Sequence, residues 1–394
     1  MPGRPSRAEH PSPEQARPAG LEWIVLKIAQ RCNLDCDYCY VYNRGDTSWL
    51  TRPTYISDRV TRQLAERIAA HCGARGLTEF VVELHGGEPL LLGRARMQRL
   101  IDTLRGICAP VRIRIMLQTN GLLLTGAWLD FFARNGMTFG LSLDGPPEIA
   151  DRHRVLRGSH EGTTERLLDT VAALRAQGPL FDELLGGVLC VVDPAAHGGE
   201  MVRWFADQGF PDIDFLLPDG NHVNPPQGWT GPEPYRRFLL EAFDAWYGEG
   251  PRAARVRLFE LMMMSLLGRE NTLDALGGDL KGLCVVESDG SIGISDVLRI
   301  CLGPYAHDSL NVFDHPLDAH AGHYRLDELQ RPCATCLACP HFTSCQGGYL
   351  PHRFDGTSFS NPSLYCEALY ALSARMTEAL EADLPAAAWQ PRAA

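Results

Sequence analysis

Cys32, Cys36 and Cys39 stand in the run Arg31-Cys32-Asn33-Leu34-Asp35-Cys36-Asp37-Tyr38-Cys39, with an aromatic just before the third. Thiolates are the ligands of iron–sulfur clusters, and a cubane ordinarily takes four. Three from one compact loop leave one iron open to a ligand that is not protein. Structural zinc prefers paired C-x2-C knuckles and a closed set of four, whereas this loop holds one knuckle and an extra cysteine. A disulfide framework belongs to short secreted chains, and this one has 394 residues.

A second set lies near the other end: Cys336-x2-Cys339-x5-Cys345, then Cys366. Four thiolates close a site, as an electron-transfer centre or a zinc ribbon requires. Between the two sets comes His85-Gly86-Gly87-Glu88-Pro89, where two glycines let backbone approach a ligand closely and a carboxylate can accept from an ammonium group. In Gln118-Thr119-Asn120-Gly121, polar groups leave an apolar stretch as a loop cap or as a ligand-facing rim, with Asn120 the better candidate. Ser142 and Asp144 close another apolar stretch, and Arg154 follows in Asp151-Arg152-His153-Arg154. An arginine can fork onto a carboxylate, while Asp144 suits a ribose or the cap of a turn.

The first trio resembles the signature of the radical S-adenosylmethionine (SAM) enzymes. That resemblance implies a [4Fe-4S] cluster on Cys32, Cys36 and Cys39 whose open iron chelates SAM, which is cleaved to a 5′-deoxyadenosyl radical. It assigns Gly86, Gly87 and Glu88 to the SAM amino group, and His85 beside them to the cofactor-binding residues. Ser142 and Arg154 match SAM contacts of the maturase branch. Tyr38 falls beside the adenine, or else packs. The second set resembles the SPASM domain of peptide and protein maturases, which implies one auxiliary [4Fe-4S] cluster on Cys336, Cys339, Cys345 and Cys366. The full SPASM pattern has cysteines where this chain has Ser295 and Tyr349, so the other auxiliary cluster is expected to be absent. Cys284, Cys301 and Cys333 remain as ordinary thiols or improvised ligands. In formylglycine-forming relatives the residue matching Asp296 is a general base, and burial raises a carboxyl toward neutrality. Asp296 is therefore the catalytic candidate.

Within SPASM proteins the Asp214–His222, Gly347–Arg353 and Asn361–Cys366 segments resemble maturases of FxSxx-type and cyclophane systems. The implied reaction abstracts a Cβ hydrogen from a ribosomal precursor peptide and closes a C–C crosslink. The competing enzymatic reading is oxidation of a Cys or Ser to formylglycine on a sulfatase. A protein that binds zinc or a cluster without turnover is the reading from another class. Expected partners are the precursor peptide, a flavodoxin- or ferredoxin-type electron donor and a separate leader-recognition protein, since the twenty residues before the first strand leave no room for a fused one.

The elements that must position these residues are legible as an α/β pattern. Strands are predicted at Trp23–Ile28, Glu79–His85, Val111–Gln118, Thr138–Leu143, Gly187–Val192 and Ile213–Leu217, most of them as apolar runs buried on both faces. Amphipathic helices lie between them, one starting at an N-cap on Ser57. Six βα units predict a partial (β/α)6 barrel with ligands at the carboxyl ends of its strands. The predicted organisation is a loose tail over 1–20, the barrel over 21–219, a helical bridge over 220–280, a SPASM-type region over 281–370 and a helix with a tail over 371–394. A hairpin is expected around Asp289-Gly290, and Met262-Met263-Met264 is read as helix packing. The net charge of −11 argues against a nucleic-acid surface. The first twenty residues lack the apolar core of a signal peptide, no segment is long enough to span a bilayer, and 13 cysteines fit a reducing cytoplasm.

Overall fold

The computed structural model describes residues 20–249, 254–271, 273–305 and 309–384. The loose tails expected at the two ends fall outside these, save for Gly20 and the C-terminal helix. Six strands, β1 Trp23–Ala29, β2 Glu79–Gly86, β3 Arg112–Thr119, β4 Thr138–Ser142, β5 Leu185–Val191 and β6 Asp212–Leu216, pair in parallel in sequence order. Counting only helices of nine residues or more, α1 Asp58–Arg75, α2 Arg94–Cys108, α3 Gly126–Arg134, α4 Thr164–Arg175 and α5 Gly198–Asp207 connect them. The Ser57 hydroxyl accepts from Val60 N and caps α1, which buries Val60, Leu64 and Ile68.

The strands are not buried evenly on both faces. In β2, Phe80, Val82 and Leu84 are buried while Val81, Glu83 and His85 are half-buried. His85 lines the cavity, and the period of two puts Glu83 on the same face. The apolar face meets the helices, and the other face carries the chemistry.

Both edges of the barrel sheet are extended. After α6 Glu233–Glu249, β7 Arg255–Val256 adds to β6 and leads into α7 Arg257–Leu266. Met262 of α7 is fully buried, in keeping with packing. On the other edge β8 Leu283–Val286 lies parallel to β1, β9 Ser291–Gly293 turns back antiparallel to it, and β10 Leu310–Asn311 follows. The result is one ten-stranded sheet ordered β10-β9-β8-β1-β2-β3-β4-β5-β6-β7. Asp289-Gly290 sits in the turn between β8 and β9, and Gly290 takes the positive φ of 89° that a glycine tolerates. Helix α8 Cys366–Asp383 packs on α6. A second, smaller core holds Ile294, Leu298, Cys301, Leu350 and Phe354 beneath the cysteine-rich end. Among the described residues no helix is long and apolar enough to cross a membrane.

Candidate functional site

The Cys32–Cys39 loop leaves the carboxyl end of β1 and is pinned on both sides. Asp35 N donates to Val155 O at 2.9 Å and Arg157 N to Asn33 O at 2.9 Å. Gly87 N and Glu88 N donate to Ala29 O (2.8 Å) and Arg31 O (2.9 Å). The two glycines make this approach possible. A Cβ on Gly86 would lie 2.1 Å from Ala29 O, and one on Gly87 2.2 Å from Arg31 O. Their smallness thus serves first to seat the cysteine loop against β2.

Glu88 is 1% exposed, and both oxygens of its carboxylate accept hydrogen bonds. It accepts from Leu90 N (3.0 Å), Thr119 Oγ1 (2.8 Å) and Asn120 N (2.9 Å), which ties the end of β2 to the end of β3. Burial pushes it up to about 7 against the pull of those bonds. Asn120 Nδ2 donates to Asn33 Oδ1 at 2.9 Å, beside Cys32. The Ser142 hydroxyl accepts from Gln118 Nε2 at 2.7 Å. Tyr38 Oη donates to Asp144 Oδ2 (2.5 Å) and accepts from Arg154 Nη1 (2.8 Å), while Asp144 Oδ1 takes Val191 N at 3.0 Å. So Arg154, Asp144 and Tyr38 form one buried cluster rather than three separate contacts.

Tyr38, Glu88, Asn120, Ser142, Asp144 and Arg154 line a single cavity of about 330 Å³ that also receives Cys32, Cys36 and Cys39. The three thiols are free and half-buried. Burial pushes Cys32 up to about 12, with the charge of Glu88 adding to it, and Cys36 up to about 11. A thiol so placed becomes a thiolate only with a cation in contact, and three soft sulfur donors on one wall fit iron. Among the described residues no three His, Cys, Asp or Glu side chains converge closely enough to share one metal ion. A cubane presents separate irons, so this donor set suits a cluster better than zinc.

The far wall of the cavity comes from Asp214–Asp219, Asp274, Tyr349 and His352. Its junction with the first part is a buried polar knot. Lys27 on β1 donates to Tyr40 Oη at 2.9 Å and to His85 Nδ1 at 3.1 Å, and it pairs with Asp296, which Tyr40 Oη also meets. Lys27 is 3% exposed, while Asp296 keeps 13% of its side chain accessible. The expectation of a raised Asp296 pKa reverses here. Burial does push it up, but the Lys27 ammonium and the hydrogen bonds from Lys27 and Tyr40 outweigh burial, and the carboxyl is held well below the usual range. The same environment lowers His85 to about 3, by burial first and Lys27 second. His85 is therefore neutral, and its bond to Lys27 leaves the ring proton on Nε2. Its ring is engaged with the lysine, a role its motif did not foretell. Glu83, on the same face of β2 as His85, is pushed up to about 7 by burial and by Asp296.

At the cysteine-rich end Cys336, Cys339, Cys345 and Cys366 lie within electrostatic reach of one another: Cys345 and Cys366 act on Cys336, and Cys339 acts on both Cys345 and Cys366. Ser295 and Tyr349 also meet, with their hydroxyls 3.4 Å apart. Cys284 is buried in β8, where burial alone perturbs it, and Cys301 belongs to the smaller core. Cys333 lies near the second set, since it acts electrostatically on Cys336 and Cys366. The run Cys333-x2-Cys336-x2-Cys339 carried that signal, and a lysine inside the apolar run Trp23–Ala29 carried the signal for Lys27.

Residues 26–187 match the Radical SAM superfamily. A serine-type anaerobic sulfatase-maturating enzyme of Klebsiella pneumoniae is 36% identical over 358 residues, covering 86% of this chain and 84% of the relative. A cysteine-type enzyme of Clostridium perfringens (strain 13 / Type A) is 27% identical over 342 residues, covering 83% and 88%. Among solved structures, native anSMEcpe with bound AdoMet superposes with a TM-score of 0.77 at 23% identity, over 91% of this chain and 99% of that one. Streptococcus suis SuiB bound to precursor peptide SuiA gives 0.59 at 16% identity, over 89% and 76%. These two likenesses show the fold, a radical SAM core followed by a cysteine-rich C-terminal region. The sequence identity over most of both chains shows more: the protein is a radical SAM enzyme, with the SAM and [4Fe-4S] chemistry of that superfamily, and belongs to the family of the anaerobic sulfatase-maturating enzymes.

Proposed function

We propose that the protein matures a peptide segment by a two-electron oxidation of one side chain, converting a serine or cysteine to formylglycine. The observation that carries this reading is the 36% identity to the serine-type enzyme across most of both chains. The Asp296 carboxylate, held anionic beside the cavity, agrees with it. When bound, the cluster and SAM would supply a carbon radical that takes one hydrogen atom from the substrate Cβ. Everything else falls to the chain's own side chains.

Cys32, Cys36 and Cys39 would hold the cluster, and Gly86 and Gly87 keep their loop against β2. Arg154 and Ser142 are the cavity's groups for a carboxylate, Glu88 and Asn120 its groups for an ammonium, and Tyr38 and Asp144 its groups for an adenosine. Removing a hydrogen atom from CH2OH or CH2SH leaves one electron and one proton to lose before the C=O or C=S bond is complete. Asp296 would accept that proton, and the thiols of the second set would hold the centre that takes the electron. A thioaldehyde then exchanges sulfur for oxygen with water, releasing hydrogen sulfide.

A second reading, closure of a C–C crosslink in a precursor peptide, is favoured by Ser295 and Tyr349. Both stand where SPASM proteins carry cysteines, and in this chain the two hydroxyls face each other. That departs from the sulfatase-maturating pattern in the region of the auxiliary cluster expected to be absent.

Anaerobic reaction with a serine-containing peptide, followed by mass spectrometry and capture with a hydrazide, separates the readings. Formylglycine predicts a product two hydrogens lighter that the hydrazide captures. A product equally light that escapes capture and resists fragmentation within a ring supports the crosslink. An unmodified peptide alongside full SAM cleavage contradicts the choice of substrate.

A further inference from the structure

One face of the barrel reverses the charge of the chain around it. Lysines and arginines number 37 against 48 aspartates and glutamates overall, yet α1 and α2 together hold eight arginines, no lysine and three carboxylates. Between the first turns of these helices lies an open cleft of about 330 Å³, lined by Tyr55, Ser57, Asp58, Leu92, Arg96 and Arg99 among others. Arg59, Arg62, Arg96 and Arg99 are all exposed. Arg96 extends over the Tyr55 ring at 5.2 Å, and among the described residues no carboxylate pairs with it or with Arg62. Asp58 and Arg99 stand 3.7 Å apart and mostly in solvent, a pair that binds neither tightly. Arg62 lies one turn beyond Asp58 on the same helix face, so both rims of the cleft are positive.

The cleft backs onto the stem of the first cysteine loop. Ile56 N donates to Ile28 O (3.1 Å) and Gln30 N to Thr54 O (2.9 Å), so the segment carrying Tyr55 is bonded to the end of β1, two residues short of Cys32. On the other side Leu92 closes the turn Pro89–Leu92, which follows Glu88, and Glu88 N donates to Arg31 O at 2.9 Å. The walls of the cleft are therefore joined to both backbone segments that seat the loop. The loop's own carboxylates, Asp35 and Asp37, are already taken by Arg157 (3.1 Å) and His153 (2.9 Å). Reductive cleavage of SAM consumes one electron each time, and that electron reaches the cluster from outside the chain.

We propose that this arginine face is the docking surface for the protein that reduces the first cluster, an acidic one-electron donor of the flavodoxin or ferredoxin type. The donor's carboxylates meet Arg59, Arg62, Arg96 and Arg99, and its redox group faces the cleft. One electron leaves the donor and enters the cluster, and no atom is transferred. Complementary potentials steer such encounters and fix their orientation. A local positive field is needed here, because a chain of net charge −11 otherwise repels an acidic partner. The proposal rests on the SAM-cleaving cluster at the first cysteine loop and not on the choice of peptide.

The test uses the anaerobically reconstituted full chain and a strongly acidic flavodoxin. It compares wild type, a triple variant carrying Arg62→Glu, Arg96→Glu and Arg99→Glu, and a control, Arg166→Glu, on the exposed side of α4. Calorimetry reads the affinity for the flavodoxin over a range of salt, and stopped flow reads the rate at which its reduced form reduces the cluster. At low salt the triple variant should lose affinity and rate by on the order of tenfold or more against wild type and control. The three should converge near about 1 M salt, where such attraction is screened. SAM cleavage driven by dithionite should be equal in all three, since a small reductant needs no docking face. Undiminished affinity and rate in the triple variant would overturn the proposal, as would a wild-type affinity indifferent to salt or tighter binding of duplex DNA than of the flavodoxin. Dithionite that reduces the cluster of all three without cleaving SAM would instead overturn the SAM chemistry, and the proposal with it. Arg62→Gln, Arg96→Gln and Arg99→Gln, which add no repulsion to Asp58, repeat the measurement, and thermal melts exclude misfolding as the cause of a loss.

Discussion

One buried lysine decides what the carboxylate beside it can do. Lys27 and Asp296 form an ion pair inside the protein, and removing one partner of such a pair typically costs about 3–5 kcal/mol. Because the folded pKa of Asp296 is depressed, its stabilisation is fully present above its unfolded value of ~3.9 and fades as the pH falls below that. In Lys27→Met burial is opposed chiefly by the Tyr40 hydrogen bond, the pKa rises, and the carboxylate becomes a liability as the pH climbs. The Tm gap between wild type and Lys27→Met should therefore widen between about pH 5 and about pH 7.5. A constant gap would mean that the lysine does not govern this carboxyl. At the same site Asp296→Asn should spare SAM cleavage and abolish the modified product, as chromatography of 5′-deoxyadenosine and peptide mass spectra would show. Full product formation would remove the base role. Asp296 was legible in the sequence through its place after the hairpin glycine. Lys27 was visible only as a charge inside an apolar run, which does not say which of its residues faces a lumen or what a distant hairpin brings to it.

At the scale of elements, close approach of backbones holds the first site together. An alanine at Gly87 would bring its Cβ to 2.2 Å from Arg31 O and from Tyr42 Oη, so the cysteine loop must move. Gly87→Ala should lower stability by about 1–3 kcal/mol and deplete the first cluster, as a melt and an iron count would report. Unchanged values for both would show that the loop tolerates the shift. Gly290→Val combines the strain of a positive φ with a Cβ 2.9 Å from Val312 Cγ2. It should cost about 1–3 kcal/mol and loosen β9 and β10, read as faster amide exchange there than in β3. The six barrel strands were readable to within about two residues because apolar patterning marks buried strands; β2, β3 and β4 alternate in burial, whereas β1 and β6 keep the continuous burial expected. Two-residue strands such as β7 and β10 carry no period to detect. Nor could the pairing of β8 with β1 be read from pattern, since it joins residues some 260 positions apart through tertiary contact alone.

Taken whole, the molecule is one sheet that carries a cysteine loop at β1 and a hairpin on the same strand's other side. That junction brings Asp296 to Lys27, and the cavity that receives the first cysteine set is walled in part by Tyr349 and His352. Both cysteine sets were legible because thiol spacing is local. The meeting of Ser295 with Tyr349 needed the fold. The measurement closest to the heart of this account is the reductive cleavage of SAM by the anaerobically reconstituted chain. It should yield methionine and 5′-deoxyadenosine, and Cys32→Ala, Cys36→Ala or Cys39→Ala should each abolish both. A fully iron-loaded, reduced protein that leaves SAM intact, or trio variants that cleave it as well as wild type, would contradict the account at its root.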